Sequence, residues 1–182
     1  MKPIYNIHAG EYLVGSHIEA KYKDLNVWLP TKDTGIDLLV TDKRNKKAVS
    51  LQVKFSKDFN ATDDANVKEL KFRGWWTLKH SKIQDSKADF WIFVLYGFER
   101  KEPEPEFVVI EPRVLLNRLR SIHGRKSLYH VYFVITKSGK CWEARGMKKR
   151  DILLMAQNES SNSKRDFTSN LKDWEIVRAR VR

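Results

Sequence analysis

Val49-Ser50-Leu51-Gln52-Val53-Lys54-Phe55 sorts its side chains into two kinds. Successive strand residues point to opposite faces, so Leu51, Val53 and Phe55 share one side while Gln52 and Lys54 share the other. Upstream stands Gly35-Ile36-Asp37-Leu38-Leu39-Val40, an apolar run with an acid at its head. The segment between them, Thr41-Asp42-Lys43-Arg44-Asn45-Lys46-Lys47, is polar and turn-like. It predicts a hairpin in which strand 36–41 runs antiparallel to strand 48–55. Asp37 then faces the far part of the second strand, where Gln52 and Lys54 lie. An acid, a metal-capable oxygen and a lysine brought together in this way can build a nuclease site, because a metal and a lysine can activate water against a phosphodiester.

A fourth residue joins them from upstream. Taken as a helix at 100° per residue, Ile7 to Tyr22 puts Ile7, Val14, Ile18 and Tyr22 on one stripe, with Glu11 near its middle and Gly15 beside it. A carboxylate in the centre of an apolar face is costly unless it is paired, hydrogen-bonded or bound to metal. Glu19 lies at the edge of the stripe, where solvent reaches it, so Glu11 is the better candidate for the functional acid.

Ala9-Gly10-Glu11-Tyr12-Leu13-Val14, Gly35-Ile36-Asp37-Leu38 and Leu51-Gln52-Val53-Lys54, in that order, resemble the PD-(D/E)XK nuclease superfamily. The resemblance covers roughly the first 55 residues, with a looser match of element order to about residue 111. Two positions depart from the commoner pattern: Ile36 stands where proline is usual, and Gln52 stands where the (D/E) acid is usual. The resemblance implies an α/β (α+β) fold with a restriction endonuclease-like core, a mixed central sheet flanked by helices. It implies a metal-dependent endonuclease acting on DNA, with Mg²⁺ as cofactor and Mn²⁺ as the alternative. Asp37, the Gln52 side-chain oxygen, the Val53 carbonyl and Glu11 would be the metal ligands, and Lys54 would serve the attacking water. A homodimer is compatible with it.

Composition points the same way. The chain has 182 residues, 41% of them hydrophobic, and carries a net charge of +12. That length predicts a single domain over 1–182. The charge is uneven: net +3 over residues 1–60, −2 over 61–111 and +11 over 112–182. A catalytic core over 1–111 and a basic C-terminal part over 112–182 follow from that distribution, with an anionic partner such as nucleic acid. A solvated basic face kept for solubility is the plainer alternative.

One cysteine, Cys141, excludes an intrachain disulfide and a Cys-rich zinc site. The five histidines show no metal-ligand spacing. No stretch is apolar and long enough to span a membrane, and no signal-peptide core is seen at the N-terminus, so a cytoplasmic location is expected.

The periodicities give helix 7–22, strand 25–29, strand 36–41, strand 48–55, a polar loop to about 73 and helix 75–86. They continue with strand 89–96, strand 106–111, helix 112–121, strand 128–136, helix 147–157, a mobile loop over 157–164 and a short element around Trp174. Lys79 and Lys82 on the helix after the loop could contact phosphate or form its solvent side. Trp75 and Trp76, adjacent on that helix, cannot both face the core fully; packing is the plainer role for each, and one could instead stack on a base or line a groove. Arg178, Arg180 and Arg182 could grip phosphates or belong to a frayed basic end. Two rival functions remain at this level. One is a weak or inactive member of the same fold that binds nucleic acid without cutting it, which Gln52 favours. The other is a basic protein-interaction module.

Overall fold

A computed structural model describes residues 8–32, 34–57, 70–96, 104–157 and 162–182. The chain forms a mixed α+β structure with two sheets. The first has five strands in the order β1 (Leu25–Trp28), β2 (Leu38–Asp42), β3 (Ala48–Lys57), β5 (Phe90–Tyr96) and β6 (Glu106–Ile110). The second has three, in the order β4 (Leu70–Lys79), β7 (Leu128–Thr136) and β8 (Cys141–Glu143). Helices α1 (Ala9–Lys21), α2 (His80–Gln84), α3 (Pro112–His123), α4 (Lys149–Ala156) and α5 (Glu175–Val181) complete it.

The hairpin forms as its sequence predicts. Asp42 builds the turn: its Oδ1 accepts the N–H groups of Lys46 at 2.7 Å and Lys47 at 3.0 Å. Asn45 takes the left-handed conformation (φ 56°) that asparagine tolerates. β1, β2 and β3 are antiparallel neighbours, and β3 then pairs in parallel with β5, Leu51 facing Phe90 and Lys54 facing Phe93. Parallel pairing needs a crossover, and here the crossover holds β4 and α2. At the start of β5 the Asp89 carboxylate accepts the Ser50 N–H at 2.8 Å and its hydroxyl at 2.6 Å, which ties β5 to β3.

β5 is buried on both faces, as its continuous apolar run predicts. On one face Val14 and Ile18 of α1 and Val177 and Val181 of α5 pack with Leu38, Leu51 and Ile92. On the other, Trp91, Phe93 and Leu95 meet Phe72, Trp76 and Phe133 of the second sheet and Leu115, Leu116 and Leu119 of α3. α4 covers part of the outer face of the second sheet through Met155 and Ala156. At Gly74 of β4 there is no room for a side chain against the first sheet. A Cβ there would stand 2.3 Å from the Trp76 ring and 3.1 Å from Leu95.

The expectation of a loop to residue 73 and a helix over 75–86 is corrected. Residues 70–79 are a strand, and α2 spans five residues. Phe72, Gly74, Trp76 and Leu78 are buried, whereas Trp75, Thr77 and Lys79 are exposed, the period of two that a strand imposes. Lys79 therefore ends a strand, and the two tryptophans face opposite ways because neighbours on a strand do. The core order is helix, three strands, a departing strand, a short helix and the parallel strand. Of the loop expected over 157–164, residues 158–161 lie outside the described residues, and Ser163–Arg165 form a 3₁₀ turn. No helix among the described residues is long and apolar enough to cross a membrane.

Candidate active site

Three elements bring the candidate residues together. Asp37 immediately precedes β2, which starts at Leu38, two residues later than expected. Its N–H donates to the Leu51 carbonyl at 2.8 Å, continuing the ladder, and its Oδ2 accepts the N–H of Val53 at 2.8 Å. The pairing of Leu38 with Leu51 places Asp37 opposite Gln52. Beyond that point β3 has outrun β2, so the Val53 peptide faces the side where β2 has ended.

Helix α1 supplies Glu11 from its first turn, and Gly10 sets how closely it approaches. A Cβ on Gly10 would lie 2.7 Å from the Phe55 Cβ and 3.1 Å from Val53 Cγ1. Without a side chain there, the start of α1 rests directly on β3. Glu11 is 4% exposed, as its place in the apolar stripe predicts.

Glu11, Asp37, Gln52, Val53 and Lys54 line a single open cleft of about 410 Å³. The Lys54 ammonium stands 4.9 Å from the centre of the Trp91 ring, which forms the floor beneath it. A wider cleft of about 860 Å³ adjoins, sharing Gln52 and Lys54 and adding Thr34, Ser81, Lys82 and Lys87 among its walls. Gly35, at φ +83°, turns the chain there, and a Cβ on it would reach 3.7 Å from Gln52 Nε2.

The donors are two carboxylates, an amide oxygen and a peptide carbonyl, all of them oxygen, and oxygen donors suit a hard cation. Among the described residues no group of three or more His, Cys, Asp and Glu side chains is placed to hold a metal. The candidate cleft is lined by His8, Glu11 and Asp37 of those types, beside the neutral Gln52.

The other expected contacts divide. Lys82 lines the wider cleft, whereas Lys79 does not. Arg178 bridges Asp24 at 3.0 Å and Glu175 at 2.8 Å and lies over Tyr22; Arg180 meets Glu111 at 3.2 Å. Tyr22 caps the C-terminal end of α1, eleven residues from Glu11, so Arg178 is roughly 16 Å along the helix from the cleft. Arg178 and Arg180 are carboxylate-paired on α5, and Arg178 stands away from the candidate centre. Ser81 and Lys87 were not anticipated. Their signal is the repeated Ser-Lys pair, Ser81-Lys82 and Ser86-Lys87, on either side of the turn that follows α2. Cys141 is fully buried, and burial pushes its thiol up, as fits a packed thiol.

Comparison with protein-family models, with curated proteins and with solved structures gave no match.

Proposed function

We propose that this protein is a metal-dependent endonuclease that hydrolyses DNA phosphodiesters, with a restriction endonuclease-like core. The observation that carries the reading is the convergence of Glu11, Asp37, Gln52 and Lys54 on one cleft from three separate elements. The chain path supports it as well: a helix, an antiparallel three-stranded meander and a parallel return beside β3 follow the core order that the sequence resemblance implies.

Glu11, Asp37, the Gln52 amide oxygen and the Val53 carbonyl would hold Mg²⁺ or Mn²⁺. Such an ion neutralises phosphate charge and lowers the pKa of water. The chain's own contribution is positional. The Val53 N–H fixes the Asp37 carboxylate, and buried Glu11 closes the cleft on the helix side. The Lys54 ammonium orients a water and offsets charge building on the phosphate. Lys82 and Lys87, with Asp85 between them, add net positive charge to the wall along which a phosphate backbone would lie. The preference for DNA over RNA rests on the sequence resemblance.

The test is incubation of purified protein with plasmid and oligonucleotides in Mg²⁺, Mn²⁺ or EDTA. Metal-dependent nicking is the expected result. Gln52 favours a second reading, binding without cutting, because a neutral amide gives the cation no charge; salt-sensitive binding with no nicking would select it. Neither binding nor nicking would leave a protein-interaction module.

A further inference from the structure

Trp75 is 43% exposed on β4, although its neighbour Trp76 is buried edge-on against Phe93. Exposing so much indole forgoes hydrophobic stabilisation, and what surrounds it is organised. The His130 ring lies nearly parallel to it, 6.0 Å away with 11° between the planes. Thr77 Oγ1, directly across from His130 in the β4–β7 register, holds the imidazole through Nδ1 at 3.2 Å. The two rings make a fixed shelf on the face turned away from the five-stranded sheet.

That shelf is tied to the candidate site. The Trp75 N–H donates to Ser56 Oγ at 3.1 Å. Ser56 follows Lys54 by two residues on β3, so it lies on the same face, about 7 Å along the strand. β4 is an edge strand of its sheet, and this hydrogen bond joins that edge to β3 two residues beyond Lys54. The neighbours of Trp75 on the outer face are Tyr132, directly across the ladder, with Thr77, Lys79 and His130, and Leu128 stands opposite Lys79. A phosphate-linked base would find there both an aromatic plane and a cation.

We propose that Trp75, braced by His130, is a stacking site for an unpaired nucleobase beside the scissile phosphate, so that the substrate is single-stranded next to the cut. A cationic groove ending in an aromatic plane is a common way of holding single strands, since every base has a π face. A base inside a duplex has that face covered by its neighbours. The inference rests on the nuclease reading for the groove, but the shelf can be tested apart from it.

Binding would be measured in EDTA by fluorescence anisotropy on three probes: a single strand, the same strand with abasic positions, and a full duplex. Trp75→Ala should weaken single-strand binding about ten- to hundredfold and duplex binding less than about twofold. Trp75→Phe should keep most of the affinity, and the abasic strand should bind wild type and Trp75→Ala alike. Trp75→Leu carries the same test if Ala disturbs β4. Equal losses on strand and duplex, or no loss on either, overturn the shelf; the latter is also the outcome for a protein occupant. Selective loss with no metal-dependent cleavage by wild type keeps the shelf and removes the nuclease. Cleavage by wild type with no selective loss does the reverse.

Discussion

The backbone N–H of Val53 donates to the Asp37 carboxylate at 2.8 Å, so the acid of the candidate site is held by the peptide that separates Gln52 from Lys54. Asp37 thus has a structural task and a proposed chemical one, and the two can be separated. In Asp37→Asn the amide oxygen can still accept from Val53, and stability should fall by less than about 1 kcal/mol. Asp37→Ala leaves the donor unmatched in a half-buried place and should cost about 1–3 kcal/mol. Both should lose metal-dependent cleavage. Denaturant unfolding and a nicking assay together check this, and an active Asp37→Asn would remove Asp37 from the chemistry.

Gly10 is predicted to be irreplaceable despite lying in a helix. Alanine is the better helix former by about 1 kcal/mol, and at Gly15, where the nearest atom to a new Cβ is 3.7 Å away, Gly15→Ala should be neutral or stabilising. At Gly10 the new Cβ meets the Phe55 Cβ at 2.7 Å. Gly10→Ala should therefore destabilise by about 1–3 kcal/mol and reduce cleavage by displacing Glu11. Thermal melts of the pair give the comparison.

Lys54 should matter for cleavage and little for affinity. The +11 excess of residues 112–182 lies elsewhere in the chain, and Lys54 is a single phosphate contact. Lys54→Ala should abolish nicking while changing the dissociation constant by less than about tenfold. Near-normal cleavage by this variant would sink the mechanism proposed above.

Gln52→Glu adds a negative charge opposite Asp37 with little change in size. Hard cations bind more tightly as ligand charge rises, so Mg²⁺ should saturate the variant at lower concentration. The rate could move either way, since a new carboxylate beside Lys54 can pair with it. Calorimetric titration of Mg²⁺ decides the placement: unchanged affinity in a folded variant means that Gln52 does not touch the metal.

A buried cluster far from the cleft in sequence predicts a pH signature. Burial pushes the Glu143 carboxyl up to about 7 and, with the Arg165 cation adding to it, pushes His123 down to about 4. His123 Nε2 stands 3.0 Å from Glu143 Oε2, and Arg165 Nη1 2.8 Å from it. Between their ordinary values and these, the folded protein binds Glu143's proton more tightly than the unfolded chain, so stability falls as pH rises. His123 acts oppositely, and stability falls as pH drops. The two slopes offset one another over about pH 4.5–6.5. In His123→Gln the Glu143 slope stands alone, and stability should drop by up to about 2 kcal/mol between pH 5 and 6.5. A flat profile in that variant, by urea unfolding, would show that Glu143 keeps an ordinary pKa.

Much of the candidate site could be read because its parts are local. The β2–β3 hairpin joins Asp37 to Gln52 across one turn, and alternation alone assigns the faces of Gln52 and Lys54. β4 was misread because its partner β7 lies about fifty residues on, so no hairpin marks it. Buried Arg73 and the bare Gly74 also blur its alternation. Lys87 and Ser81 reach the cleft through the crossover, which no local pattern records. The state of Arg178 depends on Asp24, 154 residues away.

Trp91 lies beneath Lys54, yet it belongs to a strand that can dock only after the chain has completed β4 and α2. The hairpin carrying Asp37 and Gln52 can close early, since its contacts are near in sequence, whereas the β3–β5 pairing carries a large loop-closure cost and should come late. A partly folded chain would hold the acid and the amide in register while the lysine still lacked its floor. Activity during refolding should therefore appear with the last phase, together with burial of the Trp91 indole, and not with the earlier gain of hairpin structure.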